Sequence, residues 1–544
     1  MNTLALRRAA RSTRRIIDGG RGLGFGTTAR WGLHQLTRPS AAHVNTSLTW
    51  VRATADLTTI VWINNYWSDA YGIDAPHLDA ELIAVDGTTV TCFPVDLSAD
   101  ATHTIDVRTA LDHCGVTMPF DGQLLLTLRD ARVVPNRPVQ VFAEYRRDDG
   151  ECSGVHGQYG LVATPAAQVV SAMRVATGAG ERTGFVVTNA YAGPGVGHSM
   201  QTTMTVHADD GRAWNATLPP LASRATAIVY ADELIPELRS ELDGSAAHAR
   251  VQLACPSSRL ATFIESGADR RLVVNHGTVD RVFDQESGIP AEWTESWPVA
   301  SAFVVIDEAR DTVITLPNVW GPRASDYVAI IDVYRPDGTW VQRHEELIDR
   351  NGVREVSARE VIGLTRGSAF HAEVSVRCTD RERERPHTFD ILVGVRVDGH
   401  LVAEAQVGAE FYNATVPPGV RWIDIRRTRV FGRVDQTAGR RTWIFLGYPV
   451  GGGSSTGTAG TGTEPRLTLI SADGRHRRET TVRLARHGCR LATIDELFPD
   501  ADDVLGPQRI GQIRVRDTAA RLYGYSWVEH PTAETFPLDH LIGG

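Results

Sequence analysis

The chain has 544 residues, 42% of them hydrophobic, with 50 glycines, 26 prolines and a net charge of −9. That length suits about three to five ordinary domains. No stretch approaches the roughly 18 continuous apolar residues of a spanning helix, and the N-terminus lacks the apolar core of a secretory signal, so a cytoplasmic protein is expected. All 56 basic residues are arginine, which removes lysine Schiff-base and lysine-base chemistry. Six cysteines without a Cys-x-x-Cys pair point to isolated thiols rather than a disulfide framework.

Residues 1–44 stand apart. They hold eight arginines against Asp18 alone, a net of +7, so that residues 45–544 carry −16. An acidic body disfavours nucleic-acid binding by the remainder of the chain. The arm, with Arg7, Arg8, Arg11, Arg14 and Arg15 beside Leu4, Leu6, Ile16 and Ile17, is expected to be a short basic helix or disordered. Its chemistry suits an acidic protein partner or an anionic membrane surface.

From residue 45 one unit recurs four times. In the first copy (45–165) an apolar strand ends at Asn65, followed by Tyr66 and Trp67. A second strand, LIAV, runs into Asp86-Gly87, a hairpin turn of the kind that needs positive φ. Twenty residues after Asp86, Asp106 opens the helical segment DVRTAL as its N-cap. Strands QLLLTL and VQVFAEY follow. The second copy (166–285) repeats the plan with Asn189, Tyr191, Asp210-Gly211 and Tyr230, ending in RVQLAC and LATFIE. The third (286–415) carries Asn318, Trp320, Asp337-Gly338 and Ser357. The fourth (416–544) carries Gly447, Tyr448, Asp473-Gly474 and Thr493, with a glycine-rich loop at 451–465.

The Asp-Gly pairs lie 124, 127 and 136 residues apart, and the offset of twenty to the helical turn is the same in every copy. Ser357 with Glu360, and Thr493 with Glu496, match the capping box. About seven short strands per copy predict an all-β chain of four tandem β-sandwiches, each with one helical turn. The array is expected to be elongated, each bead touching mainly its neighbours, with 283–298 as the main linker.

The closing segments VQVFAEYRRDDGE (139–151) and LATFIESGADRR (260–271) resemble the sensory-rhodopsin-transducer family. In copies three and four the corresponding tails read AEAQVGAEFYN and RLYGYSWVEH, away from that pattern. The resemblance implies small bacterial cytosolic β-sandwiches that assemble into oligomers and bind partners or small ligands.

No catalytic motif stands in a suitable context, and the glycine-rich runs at 20–26 and 193–197 do not join a strand to a helix. No enzyme activity and no cofactor are expected. The binding candidates are Tyr66, Trp67, Tyr191, Trp320 and Tyr448, aromatics that follow strand ends and so need not enter a core. Glu529, His530, Glu534, Asp539 and His540 form the densest set of ligand types, with His530, Asp539 and His540 as metal candidates. His156-Gly157 and His276-Gly277 recur and read as repeated turns in which glycine supplies positive φ. The function expected is a structural or binding scaffold presenting loops to a protein partner or to itself. The alternative is a carbohydrate-binding or carbohydrate-processing protein using the aromatic loops and the acids Glu144 and Glu265, taken as equivalent positions of two beads.

Overall fold

The structure, a computed structural model, describes residues 44–129, 139–157, 161, 169–176, 180–190, 200–242, 247–253, 258–266, 271–276, 298–318, 326–363, 368–379, 389–410, 412–413, 427–450 and 462–543. The arm (1–43), Tyr191, Trp320, most of the linker and the tip of the 451–465 loop lie outside the described residues.

Module one comprises β1 (Val44–Ala53), β2 (Leu57–Asn64), β3 (Leu78–Ala84), β4 (Thr89–Val95), β5 (Thr102–Asp106), β6 (Phe120–Arg129), β7 (Val141–Arg147) and β8 (Cys152–His156). One sheet has the order β1-β6-β3-β4 and the facing sheet β5-β2-β7-β8, all antiparallel. Module two repeats this with β9 (Val169–Val175), β10 (Glu181–Asn189), β11 (Thr202–Ala208), β12 (Ala213–Thr217), β13 (Thr226–Tyr230), β14 (Ala247–Leu253), β15 (Ser258–Ser266) and β16 (Leu272–His276). Module three has β17 (Ala300–Ile306), β18 (Arg310–Pro317), β19 (Tyr327–Tyr334), β20 (Trp340–Ile348), β21 (Val353–Ser357), β22 (Ser368–Cys378), β23 (Asp390–Val397) and β24 (His400–Gly408). Module four has β25 (Thr428–Asp435), β26 (Arg441–Gly447), β27 (Arg466–Ser471), β28 (Arg477–Thr481), β29 (Cys489–Thr493), β30 (Ile510–Asp517), β31 (Tyr523–Glu529) and β32 (Leu538–His540), with β33 (Ile542–Gly543) added beside β25. The chain is all-β, four sandwiches of one topology.

Each sandwich has eight strands where the sequence suggested seven. The addition is the closing strand (β8, β16, β24, β32), which in modules one, two and four is only five, five and three residues long, too short to show a period. In module three the final pair is DILVGVRV with HLVAEAQVG, so AEAQVG belongs to the last strand and not to the one before it. The Asp-Gly turns sit at hairpin tips, with φ of 89°, 86°, 82° and 73° at Gly87, Gly211, Gly338 and Gly474. Asp106 and Ser357 cap their helical turns, and Thr493 with Glu496 completes a reciprocal capping box. Tyr230 occupies the same position with no side-chain cap.

The expected elongated array is not what forms. The hairpin of each module docks on the next. The carbonyls of Val85, Pro336 and Ala472, each just before the turn Asp, accept from Thr226, Cys489 and Thr102, the first residues of β13, β29 and β5. At the remaining junction the carbonyl of Asp209 accepts from Arg354 instead. Module four thus docks on module one, and the four heterologous junctions close into a ring. Heterologous contacts close when their rotation allows it. Two positions before strands β5, β13, β21 and β29, Asp100, Arg224, Asn351 and His487 all adopt positive φ. Three of them reach the preceding module: Asp100 to Arg514, Arg224 to Glu81, and His487 to Glu373.

Register identifies equivalent residues on the faces that meet. Trp50, Arg174, Phe303 and Arg433 hold one position on the first strand of each module. Glu144, Phe263, Gly394 and Trp527 hold another, on the seventh. Trp50 stacks on Phe263 at 5.1 Å, and Phe303 on Trp527 at 5.5 Å. Arg433 instead binds Glu144 at 3.2 Å, and Arg174 binds Glu404, the strand partner of Gly394, at 3.1 Å. The junctions therefore alternate between aromatic and ionic contacts. Two residues further on, Arg52 meets Glu265 at 2.7 Å in one junction, while Asp435 meets Arg146 at 2.7 Å in another, with the charges reversed.

Candidate functional site at the ring axis

The closing strands β8, β16, β24 and β32 neighbour one another in cyclic order and line the ring's axis. Their register places Gly154, Val274, Glu404 and Leu538 at one level. Two residues on, His156, His276, Gln406 and His540 share the next.

Three imidazoles converge there. The rings of His156 and His276 are 4.3 Å apart between centres, those of His156 and His540 4.6 Å, both edge-on. One ring nitrogen from each of the three falls within 4.8 Å of the others. Asp539, 3% exposed, holds His156: its oxygens lie 2.9 and 3.0 Å from Nδ1. An ionised carboxylate only accepts, so His156 Nδ1 carries a proton, and in the neutral ring Nε2 is the nitrogen with the lone pair. His540 Nδ1 lies 3.2 Å from the Leu541 carbonyl, which fixes the same tautomer. Burial alone would raise the Asp539 carboxyl. The adjacent His156, with His540 and His276, outweighs it and holds the group well below the usual carboxylate range. Burial and the neighbouring His156 push the His540 imidazole down. Gln406 is 5% exposed, and its Oε1 has no hydrogen-bond partner among the described residues.

The sequence had flagged parts of this cluster separately. Asp539 and His540 were metal candidates and belong to it. His530 does not: it lies beside Gly150, with Nδ1 2.9 Å from the Thr532 hydroxyl. His156 and His276 were read as turn residues, yet each ends a closing strand. Gly157 does not supply positive φ; a Cβ there would meet Val141 and Thr49. The recurrence of His-Gly was the available signal, but nothing local joins it to a histidine more than 250 residues later.

The aromatic candidates divide. Trp67 is fully buried in the core of module one, and Tyr66 is 5% exposed, stacked 5.0 Å from Phe431 of module four. Neither stands free in a loop as expected; both fill a core that the ring closure completes. Tyr448 is half-buried against the core of module four. Tyr191 and Trp320 lie outside the described residues.

The two acids of the carbohydrate reading are not equivalent, because Glu144 corresponds to Phe263 and Glu265 to Arg146. Glu144 is locked between Arg146 and Arg433, and Glu265 between Arg52 and the Tyr230 hydroxyl. Ser301 Oγ lies 2.8 Å from His371 Nε2, a nucleophile–base spacing, but both residues are fully buried and the other ring nitrogen faces the His487 carbonyl. That pair is a sealed junction contact.

No protein-family model matches the chain, and no curated protein matches its sequence. Among solved structures it is similar to a biofilm-associated protein BSP domain, at 9% identity over 93% of this chain and 98% of that one, with a TM-score of 0.15. It is also similar to a tetra-tandem repeat in the extending region of a large adhesion protein, at 9% identity over 86% and 90%, with a TM-score of 0.09. A glycosyl hydrolase family 2 member from Bacteroides cellulosilyticus DSM 14838 overlaps 45% of this chain and 29% of its own, at 9% identity and a TM-score of 0.10. Superpositions this loose carry no argument about function.

Proposed function

We propose that the chain is a non-catalytic binding scaffold, a single-chain ring that holds four different sandwich modules at fixed angles about one axis. The observation that carries this reading is the closure itself: module four returns to module one through side chains unlike those of the neighbouring junctions. In keeping with the resemblance to sensory-rhodopsin transducers, units that elsewhere assemble as separate subunits are here fused, which lets each face diverge. Trp320 and Tyr191 remain the contact residues of this proposal, and the arginine arm a second, electrostatic contact.

Cross-linking of the full chain in extract of its native host, with mass-spectrometric mapping, tests it. A recurrent protein partner is expected, with Trp320→Ala weakening the attachment and leaving unfolding unchanged. Deleting residues 1–43 should remove any salt-sensitive part of the binding. Turnover of an arrayed glycan would overturn the reading in favour of a carbohydrate enzyme.

A further inference from the structure

We propose that the ring axis is a divalent transition-metal site in which His156, His276 and His540 are ligands, with Gln406 at the fourth equivalent position. Three observations converge on it. The first is placement: modules one, two and four each deliver an imidazole at one register level, with ring nitrogens within 4.8 Å of each other. Ligands about 2.0–2.1 Å from a tetrahedral zinc would lie roughly 3.4 Å apart, so modest side-chain rotation closes the set.

The second is orientation. His156 donates Nδ1–H to Asp539, and His540 donates Nδ1–H to the Leu541 carbonyl. Metal-bound histidines have this arrangement, the outer nitrogen held by a carboxylate or carbonyl so that the other presents its lone pair. Asp539 also sets a negative charge behind the imidazoles, balancing half of a divalent cation. The third is the Gln406 Oε1, buried without a hydrogen-bond partner among the described residues, an oxygen donor at the position where the other modules place nitrogen.

Imidazole ligation selects zinc, cobalt, nickel or copper over magnesium and calcium. Bound at the axis, the ion would pin three modules to one another. The site does not depend on the scaffold reading and is tested separately from partner binding.

The full chain, stripped with chelator, would be titrated with Co2+. One ion per chain is expected, with the visible absorption of a four-coordinate site, displaced by Zn2+ and not by Mg2+. X-ray absorption of the zinc-loaded wild-type protein should show an imidazole-rich first shell. His276→Ala should abolish the visible band, and Asp539→Asn should weaken binding about 10–100-fold. Both variants are compared with wild type in circular dichroism and metal-free melting, so that misfolding is recognised. Absence of a one-to-one complex in the wild-type chain would overturn the proposal. So would a complex that survives in both His156→Ala and His276→Ala.

Discussion

Trp67 and Glu144 show what burial does to a residue that the sequence presents as available. Trp67 follows a strand end, yet its indole is completely enclosed, with the Tyr66 ring tilted against it 4.6 Å away. Cutting it to alanine should cost about 3–5 kcal/mol, read by urea denaturation, through lost burial and the cavity left behind. Glu144 is a carboxylate with no exposure. Burial would raise its pKa, but Arg146 and Arg433 outweigh that and lower it to about 2. A carboxyl depressed in the folded state stabilises above its unfolded value near 4.5, and loses that contribution as pH falls towards about 2. Wild-type stability should therefore drop across this window. Glu144→Gln, which has no proton to take up, should lose that residue's share of the slope there, by melting-temperature measurement against pH.

At the scale of strands and turns, the junctions explain how the ring keeps one order. Aromatic and ionic contacts alternate at equivalent positions, and the flanking charges of Arg52–Glu265 are reversed in Asp435–Arg146. Setting the Asp435 face against the Glu265 face would oppose two carboxylates, so wrong pairings carry a repulsive element. A double-mutant cycle on Arg433→Ala and Glu144→Ala should give a coupling of roughly 0.5–3 kcal/mol. Each single change should cost more than the pair's net worth, because it leaves a buried charge behind. The local elements behave more simply. Thr493→Ala removes one half of a complete capping box and should cost about 1 kcal/mol in chemical denaturation.

For the molecule as a whole, the decisive measurement is its dimension in solution. A chain of this size packed as one body has a radius of gyration of about 24 Å. Four sandwiches end to end would be far more extended. Small-angle scattering of the chain lacking residues 1–43 should give a value close to the compact figure, with a maximum dimension well short of a four-domain rod. A rod-like profile would remove the module-four-to-one junction and the axial cluster with it.

The sequence by itself determined the repeat. Asp-Gly turns, N-caps and alternating strands are local devices whose physics is complete within a few residues, so the four hairpins and helical turns were legible, as was the all-β class. It could not determine what lies between modules. Trp50, Arg174, Phe303 and Arg433 are equivalent only by strand register, and as letters they alternate between aromatic and arginine with no common residue to align. The left-handed Asp100, Arg224, Asn351 and His487 are likewise invisible as a set. The closing strands of modules one, two and four are too short to carry a period, so His156 and His276 looked like turns and His540 like part of a tail. Only the tertiary structure brings them together, because ring closure is a sum of small rotations fixed by contacts between distant segments, and no local pattern records that sum.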